Sequence, residues 1–166
     1  MKPKTLGWII LGGGIILTLF LLRSRIHDII EDREVRIFLN RLSPYHPIVT
    51  DYADQHSLDE NLVKAVIWTE SSGFPDAEGP YGEIGFMQVF YTTAQQMGFT
   101  GEPDELFDPD TNVYYGTKYL RWQLDRYGQD IQMALSAYEA GTYTPENKWY
   151  VDRVLGYYAR LEAYLK

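Results

Sequence analysis

The sequence predicts a mainly α-helical domain preceded by an amino-terminal transmembrane helix. Residues 6–22 are all apolar or small and are flanked on both sides by lysine or arginine, which is typical of a membrane-spanning segment. Beyond residue 46, apolar residues recur at helical spacing between capping residues and glycines. No segment there alternates convincingly as a strand would. We therefore expect helices, with a short irregular or hairpin segment at residues 79–89.

The composition is that of one ordinary domain with an appendage. The chain has 166 residues, of which 45% are hydrophobic, enough for a core. It has no cysteine, which excludes disulfides and thiolate metal sites but leaves the compartment open. The three histidines are scattered over the first third, so we expect no metal and no cofactor. Residues 43–166 carry a net charge of −11, which argues against a nucleic-acid partner.

Residues 1–23 are interpreted as a membrane anchor. As a helix, residues 6–22 would span roughly 25 Å, at the short end for a bilayer. A cleaved signal peptide is the alternative. It requires a small-residue cleavage site, however, and the first alanine is Ala53. Basic residues flank the segment on both sides, so the preference of positive charges for the cytoplasmic side does not decide its orientation.

Residues 24–46 are interpreted as an amphipathic helical linker. Its apolar residues alternate with charged ones at helical spacing; they are Ile26, Ile29, Ile30, Ile37, Phe38 and Leu42. The apolar side packs on the domain, on a partner or on the lipid surface, and the sequence does not decide which. Pro44 and Pro47 break this helix, so we place the domain at residues 47–166.

The first helices of the domain are indicated by their start and stop residues. Residues 49–56 predict a short helix. Residues 57–60 match a capping box, in which the Ser57 hydroxyl and the Glu60 carboxylate each accept from the other's free amide. Residues 92–95 open a later helix in the same manner, and Gly98 ends it.

Three further helices follow. Asp108 is a cap before a proline and starts a helix that ends at Gly128. Asp130 caps the next helix, which ends at Gly141. Residues 144–145 (Thr-Pro) start the last one.

The helix after the predicted capping box places a carboxylate at the end of an apolar stripe. Val66, Ile67 and Glu70 share one face, because residues three and four apart align. Burial disfavours the charged form, so the pKa of Glu70 should be raised. A carboxyl that is protonated near neutral pH suits a general acid. This stretch alone is equally compatible with a solvent-facing glutamate, but the glycine- and proline-rich residues 73–85 favour a cleft wall.

Four segments carry a family resemblance in order: Glu-Ser at 70–71, Gly-Glu-Ile-Gly-Phe-Met-Gln at 82–88, Ala-Tyr-Glu-Ala-Gly at 137–141 and Tyr-Val-Asp-Arg-Val at 150–154. Together with Asp-Pro-x-x-Asn-x-x-x-Gly at 108–116, this series resembles the lytic transglycosylase catalytic domain, the goose-lysozyme-like SLT family. The resemblance implies a lysozyme-like helical fold. It also implies cleavage of the β-1,4 bond between N-acetylmuramic acid and N-acetylglucosamine in peptidoglycan glycan strands, with formation of a 1,6-anhydro ring.

The resemblance also implies roles for particular residues. Glu70 matches the single catalytic acid, and Tyr138 matches the tyrosine that hydrogen-bonds near it. Gln88 matches a glutamine that contacts the sugar. The expected substrate-binding residues are Ser71, Met87, Gln88, Phe90, Glu139 and Tyr150.

Five positions depart from the family pattern. Glu139 replaces an asparagine, and this either raises the pKa of Glu70 further or alters how the glycan is held. Gly79 stands where many members have a serine that contacts the substrate, and glycine has no side chain to make that contact. Phe90 and its neighbour Tyr91 suggest a more aromatic cleft, and Glu83 occupies a position that is often alanine.

Two other functions remain open. A hydrolytic lysozyme would need a second carboxylate, for which Asp76, Glu78, Glu83 and Glu139 are candidates. A membrane-tethered glycan-binding or assembly protein would need no turnover. Because peptidoglycan lies outside the cytoplasmic membrane, we expect the amino end inside and the domain in the periplasm or cell wall. Partners in wall remodelling or secretion are left open.

Overall fold

The computed structural model describes residues 22, 23 and 29–166. The chain divides into two compact units, Met1–Ile37 and Phe38–Lys166. The predicted anchor lies outside the described residues except for Leu22 and Arg23, which are helical. In the part of the chain that is described, no helix is long and apolar enough to cross a membrane.

The described residues are mainly helical, as predicted. Residues 29–42 are helical and are named α1. The other α-helices are α2 (His46–Gln55), α3 (Glu60–Ser71), α4 (Tyr91–Gln96), α5 (Pro109–Arg126), α6 (Ile131–Ala140) and α7 (Lys148–Tyr164). Short 3₁₀ turns lie at Ser43–Tyr45, Pro103–Phe107 and Pro145–Asn147.

The expected hairpin is present. Strands β1 (Glu83–Ile84) and β2 (Val89–Phe90) pair antiparallel, with Glu83 opposite Phe90. The connecting residues 85–88 lie against α5, where the Met87 amide donates to Asn112.

Helix α3 forms the centre of the second unit and packs against α2 and α7. Every residue from Leu62 to Trp68 is buried, as expected for a helix covered on all sides. Trp68 is stacked between Phe38, at a ring-centroid distance of 4.6 Å, and Tyr157, at 4.3 Å. The sequence left open whether the apolar side of residues 24–46 packs on the domain, on a partner or on the lipid surface. Phe38, near the end of α1, packs on the domain.

The acidic caps of α5 and α6 are confirmed. The Asp108 carboxylate accepts from the Thr111 amide, and the Asp130 carboxylate accepts from the amides of Gln132 and Met133. Gly141 ends α6 in the left-handed conformation.

Four predicted helix starts are wrong. Helix α2 begins at His46 and not at residue 49. Helix α3 begins at Glu60 with Asp59 as its cap, because Ser57 belongs to the turn that closes α2 and its amide bonds to the Asp54 carbonyl. Helix α4 begins at Tyr91 without a side-chain cap. Residues Pro145–Asn147 form a separate 3₁₀ turn, so α7 begins only at Lys148.

Candidate active site

A cleft of about 430 Å³ runs between the end of α3, the hairpin, α6 and α7. Six of the eight residues predicted for the site line it. They are Glu70, Gln88, Phe90, Tyr138, Glu139 and Tyr150. The other two, Ser71 and Met87, are buried beside it.

The Glu70 carboxyl lies at the inner end of the cleft. Helix α3 ends one residue later, because Ser72 adopts a left-handed conformation, and this presents Glu70 at the helix end. Burial is the main cause that raises the pKa of Glu70 to about 8, and the negative charges of Glu139 and Glu83 add to it. A hydrogen bond donated by the Tyr150 hydroxyl to Glu70 Oε1 lowers the pKa in part. The carboxyl therefore holds its proton at neutral pH.

The two tyrosines of the site bond to different partners. Tyr150 bonds directly to Glu70. The buried Tyr138 hydroxyl instead donates to the Met87 carbonyl at 2.8 Å, and its ring faces the cleft. Tyr138 thus ties α6 to the hairpin, while Tyr150 orients the carboxyl.

Asn112 on α5 fixes the floor of the cleft. It is fully buried, and its Oδ1 accepts from the Met87 amide at 2.8 Å. Its Nδ2 donates to the carbonyls of Ile84 and Leu106, at 2.7 and 2.9 Å. Gly85 has φ +75°, and a Cβ there would lie 2.5 Å from Asn112 Nδ2. The asparagine of the Asp-Pro-x-x-Asn motif thus holds the hairpin against α5.

Met87 packs on the bare backbone of α5. A Cβ at Gly116 would lie 2.5 Å from Met87 Sδ, so the helix accepts Met87 only because residue 116 has no side chain. Met87 therefore supports the floor of the cleft from behind.

Replacing Gly116 with alanine is expected to destabilise the protein by about 1–3 kcal/mol, because Met87 must be displaced. Gly156 on α7 is the matched control, since a Cβ there meets nothing within 4 Å. Alanine at 156 should stabilise the protein by roughly 0.5–1 kcal/mol through helix propensity. Thermal unfolding of both variants checks this, and equal shifts of the same sign would contradict the proposed packing.

Ser71 and Gln88 are held by local hydrogen bonds. The Ser71 hydroxyl donates to the Ile67 carbonyl and accepts from the Gly73 amide, both at 3.1 Å, so it stabilises the end of α3. The side-chain amide of Gln88 donates from Nε2 to the carbonyls of Ala77 and Gly85. A substrate contact by either residue stays a prediction.

Several cleft residues were missed from the sequence. Tyr81 and Trp149 line the cleft with 83% and 56% of their side chains exposed, and the Arg153 guanidinium lies over the Trp149 ring at 5.7 Å. Exposed rings around a polar centre suit stacking against sugar faces. The available signals were an aromatic residue inside a Gly-Pro-rich loop and a tryptophan beside Tyr150.

The geometry and the comparisons define the class of protein. Residues 47–152 match the family model described as "Transglycosylase SLT domain". The chain therefore belongs to the transglycosylase SLT domain family.

Among curated relatives, a transglycosylase from Enterobacteria phage PRD1 is 44% identical over 53% of this chain and 31% of its own length. Membrane-bound lytic murein transglycosylase E from Buchnera aphidicola is 35% identical over 49% of this chain and 40% of its own. Membrane-bound lytic murein transglycosylase C from Yersinia enterocolitica is 36% identical over 58% of this chain and 29% of its own length. The chain spans less than half the length of these relatives.

Among solved structures, the 70 kDa soluble lytic transglycosylase from Escherichia coli matches with a TM-score of 0.68 and 23% identity. The match covers 73% of this chain and 24% of that one. This likeness shows the fold, a helical lysozyme-like domain, as the sequence predicted.

Proposed function

We propose that this chain is a peptidoglycan lytic transglycosylase with Glu70 as its single general acid and base. The observation that carries the proposal is a carboxyl with a pKa of about 8 at the inner end of a cleft, hydrogen-bonded by Tyr150. Such a group is protonated when substrate arrives and can give up its proton near neutral pH.

The reaction needs one carboxyl in two consecutive roles. Glu70 donates its proton to the oxygen that bridges N-acetylmuramic acid and N-acetylglucosamine, and the bond from the muramoyl C1 to that oxygen breaks. The muramoyl 6-hydroxyl oxygen then bonds to C1, and its proton passes to the Glu70 carboxylate. The products are a 1,6-anhydromuramoyl end and a free N-acetylglucosamine hydroxyl, and the acid is restored without consuming water.

The residues around Glu70 are suited to holding a glycan strand. Tyr150 fixes which oxygen of Glu70 faces the substrate, because one carboxyl oxygen accepts its hydrogen bond. Tyr81 and Trp149 offer ring faces for sugars. Gln88 and Glu139 supply polar atoms along the cleft.

Product analysis in ¹⁸O-labelled water tests this reaction. Digestion of purified sacculi should yield 1,6-anhydromuramoyl fragments with no solvent oxygen. Fragments that are heavier by one labelled water would instead identify a hydrolase.

Hydrolysis is the second candidate, because the cleft holds further carboxylates. Of the four candidates from the sequence, Glu83 and Glu139 line the cleft, whereas Asp76 and Glu78 do not. Burial and the charge of Glu83 raise the pKa of Glu139, and a raised pKa does not disqualify a carboxylate as a general base. We favour the internal hydroxyl as nucleophile because the chain belongs to the transglycosylase SLT domain family, and the labelled-water analysis distinguishes the two reactions.

Replacing Tyr150 with phenylalanine should move the alkaline limb of the pH–activity profile to higher pH. The hydrogen bond from Tyr150 lowers the pKa of Glu70, so its loss raises that pKa and extends the range in which the acid is protonated. The maximal rate should fall about tenfold or more, because the carboxyl is no longer oriented. An unchanged or lowered alkaline limb would contradict the assigned contact.

We further propose that residues 1–23 anchor the enzyme in the cytoplasmic membrane with the domain outside. The apolar segment 6–22 and its basic flanks support this. Two relatives named as membrane-bound lytic murein transglycosylases agree with it. In intact spheroplasts, added protease should degrade the domain; complete protection would contradict this orientation.

A further inference from the structure

Glu83 is bound to the turn that precedes it through both its main chain and its side chain. The Gly79 amide donates to the Glu83 carbonyl at 2.8 Å, and the Gly82 amide donates to the Gly79 carbonyl at 3.2 Å. The Glu83 carboxylate folds back over this turn, and its Oε2 accepts from the Tyr81 amide at 2.9 Å. The carboxylate is therefore an internal brace of the turn at residues 80–82.

Gly79 leaves the space that this carboxylate occupies. A Cβ at residue 79 would overlap with Glu83 Oε2 and would lie 2.7 Å from Gln88 Oε1. The φ of Gly79 is not in the left-handed region, so an alanine fits the backbone. The side-chain space at residue 79 and the carboxylate at residue 83 thus depend on each other.

The braced turn carries Tyr81 at the mouth of the cleft. The Tyr81 side chain is 83% exposed and lines the cleft on the same side as Pro80. A ring so exposed has little packing to fix it, so the backbone of the turn sets its position.

The same carboxylate faces the ionisable groups of the site. These groups are Glu70 on α3, Tyr119 on α5, Tyr138 and Glu139 on α6, Tyr150 and Arg153 on α7, and Tyr81 on its own turn. The negative charge of Glu83 raises the pKa of both Glu70 and Glu139. Arg153 is the one cation among the residues that line the described cleft.

We propose that Glu83 is a positioning residue, whose carboxylate braces the turn at residues 80–82, holds the Tyr81 ring over the bound sugar and faces the Glu70 carboxyl. This inference rests on the proposed function, because the ring is placed for a glycan. Glu83 then fixes the geometry of the cleft mouth, and its charge contributes to the proton affinity of Glu70.

Three variants separate the brace from the charge. Glu83→Ala removes both, Glu83→Gln keeps an oxygen that accepts from the Tyr81 amide but removes the charge, and Tyr81→Ala removes only the ring. On a soluble glycan we expect Glu83→Ala and Tyr81→Ala to raise KM about fivefold. Glu83→Gln should keep KM within about twofold and move the alkaline limb of the kcat profile to lower pH. Equal KM values for Glu83→Gln and Glu83→Ala would overturn the brace.

A double-mutant cycle tests the dependence between residues 79 and 83. Gly79→Ala should raise KM about as much as Glu83→Ala, because the new methyl group displaces the carboxylate. In the Glu83→Ala background, the same substitution should raise KM clearly less than it does in the wild type, and the remaining change comes from Gln88, whose Oε1 the methyl group also meets. Additive effects would overturn the proposal.

Binding measurements keep the test independent of turnover. In proteins that also carry Glu70→Gln, the affinity for an oligomer of N-acetylglucosamine should follow the same order, with Glu83→Ala and Tyr81→Ala about fivefold weaker than Glu83→Gln. If the wild-type protein shows no turnover but this order holds, the proposed function fails and the role of Glu83 stands. Turnover with equal affinities would overturn the role of Glu83 alone.

Discussion

Replacing Glu70 with glutamine is expected to reduce the release of soluble fragments from purified sacculi by about 10²–10⁴-fold. Glutamine keeps the size of the side chain but can neither donate to the bridging oxygen nor take the proton of the 6-hydroxyl. Both chemical steps are lost together because one carboxyl serves both. Activity within about tenfold of the wild type would favour another catalyst, and no activity in either protein would favour a glycan-binding protein.

The stability of the same variant provides the control for folding. The pKa of Glu70 is about 8 in the folded protein and 4.5 for an ordinary glutamate. The folded state therefore binds this proton more tightly, and it loses stability as the pH rises from 4.5 to 8. Glutamine carries no such cost, so Glu70→Gln should unfold at a higher temperature than the wild type at pH 8. The difference should shrink toward pH 4.5.

Replacing Asn112 with alanine is expected to cost about 3 kcal/mol or more in unfolding free energy. Asn112 makes three buried hydrogen bonds to main-chain groups of Met87, Ile84 and Leu106, and each group left unpaired costs about 1–3 kcal/mol. The melting temperature should fall by roughly 6–12 °C. Turnover of the remaining folded protein should also fall, because the floor of the cleft loses its support.

Asn147 provides a matched control for this loss. It is also buried, but its side-chain amide makes one hydrogen bond, which Nδ2 donates to the Ser136 carbonyl at 3.2 Å. Asn147→Ala should therefore cost about a third as much and leave the cleft floor intact. Similar losses for the two variants would show that the contacts of Asn112 do not carry the proposed role.

The sequence predicts the local features of this fold well. The caps at Asp108 and Asp130 and the left-handed Gly141 are fixed by neighbouring residues, so each follows from a short pattern. The start of α3 was misplaced because Ser57 and Asp59 both suit a cap. Only the turn that closes α2 excludes Ser57.

The sequence predicts the central residue of the candidate site, Glu70, but not the hydrogen bonds that the two tyrosines make around it. The position of Glu70 follows from the helical period, and its raised pKa follows from burial. The hydrogen bond from Tyr150 joins residues 80 positions apart, and that from Tyr138 to Met87 joins residues 51 apart. Such contacts depend on how the helices pack, which no local pattern specifies.

The mutual dependence of Gly79 and Glu83 was also outside the reach of the sequence. Both positions were noted as departures from the family pattern, but as separate ones. Their relation appears only when the carboxylate is seen to occupy the space beside the glycine. The two departures thus share one volume, since a side chain at residue 79 would overlap with the carboxylate of Glu83.

The proton affinity of Glu70 can be measured directly by NMR titration of the protein with ¹³C-labelled glutamate carboxyls. The Glu70 signal is identified by its absence from the Glu70→Gln variant. We expect it to titrate with a pKa of about 8, well above the other glutamates. A midpoint near 4.5 would show an ordinary, ionised carboxylate at neutral pH and would contradict its role as the acid.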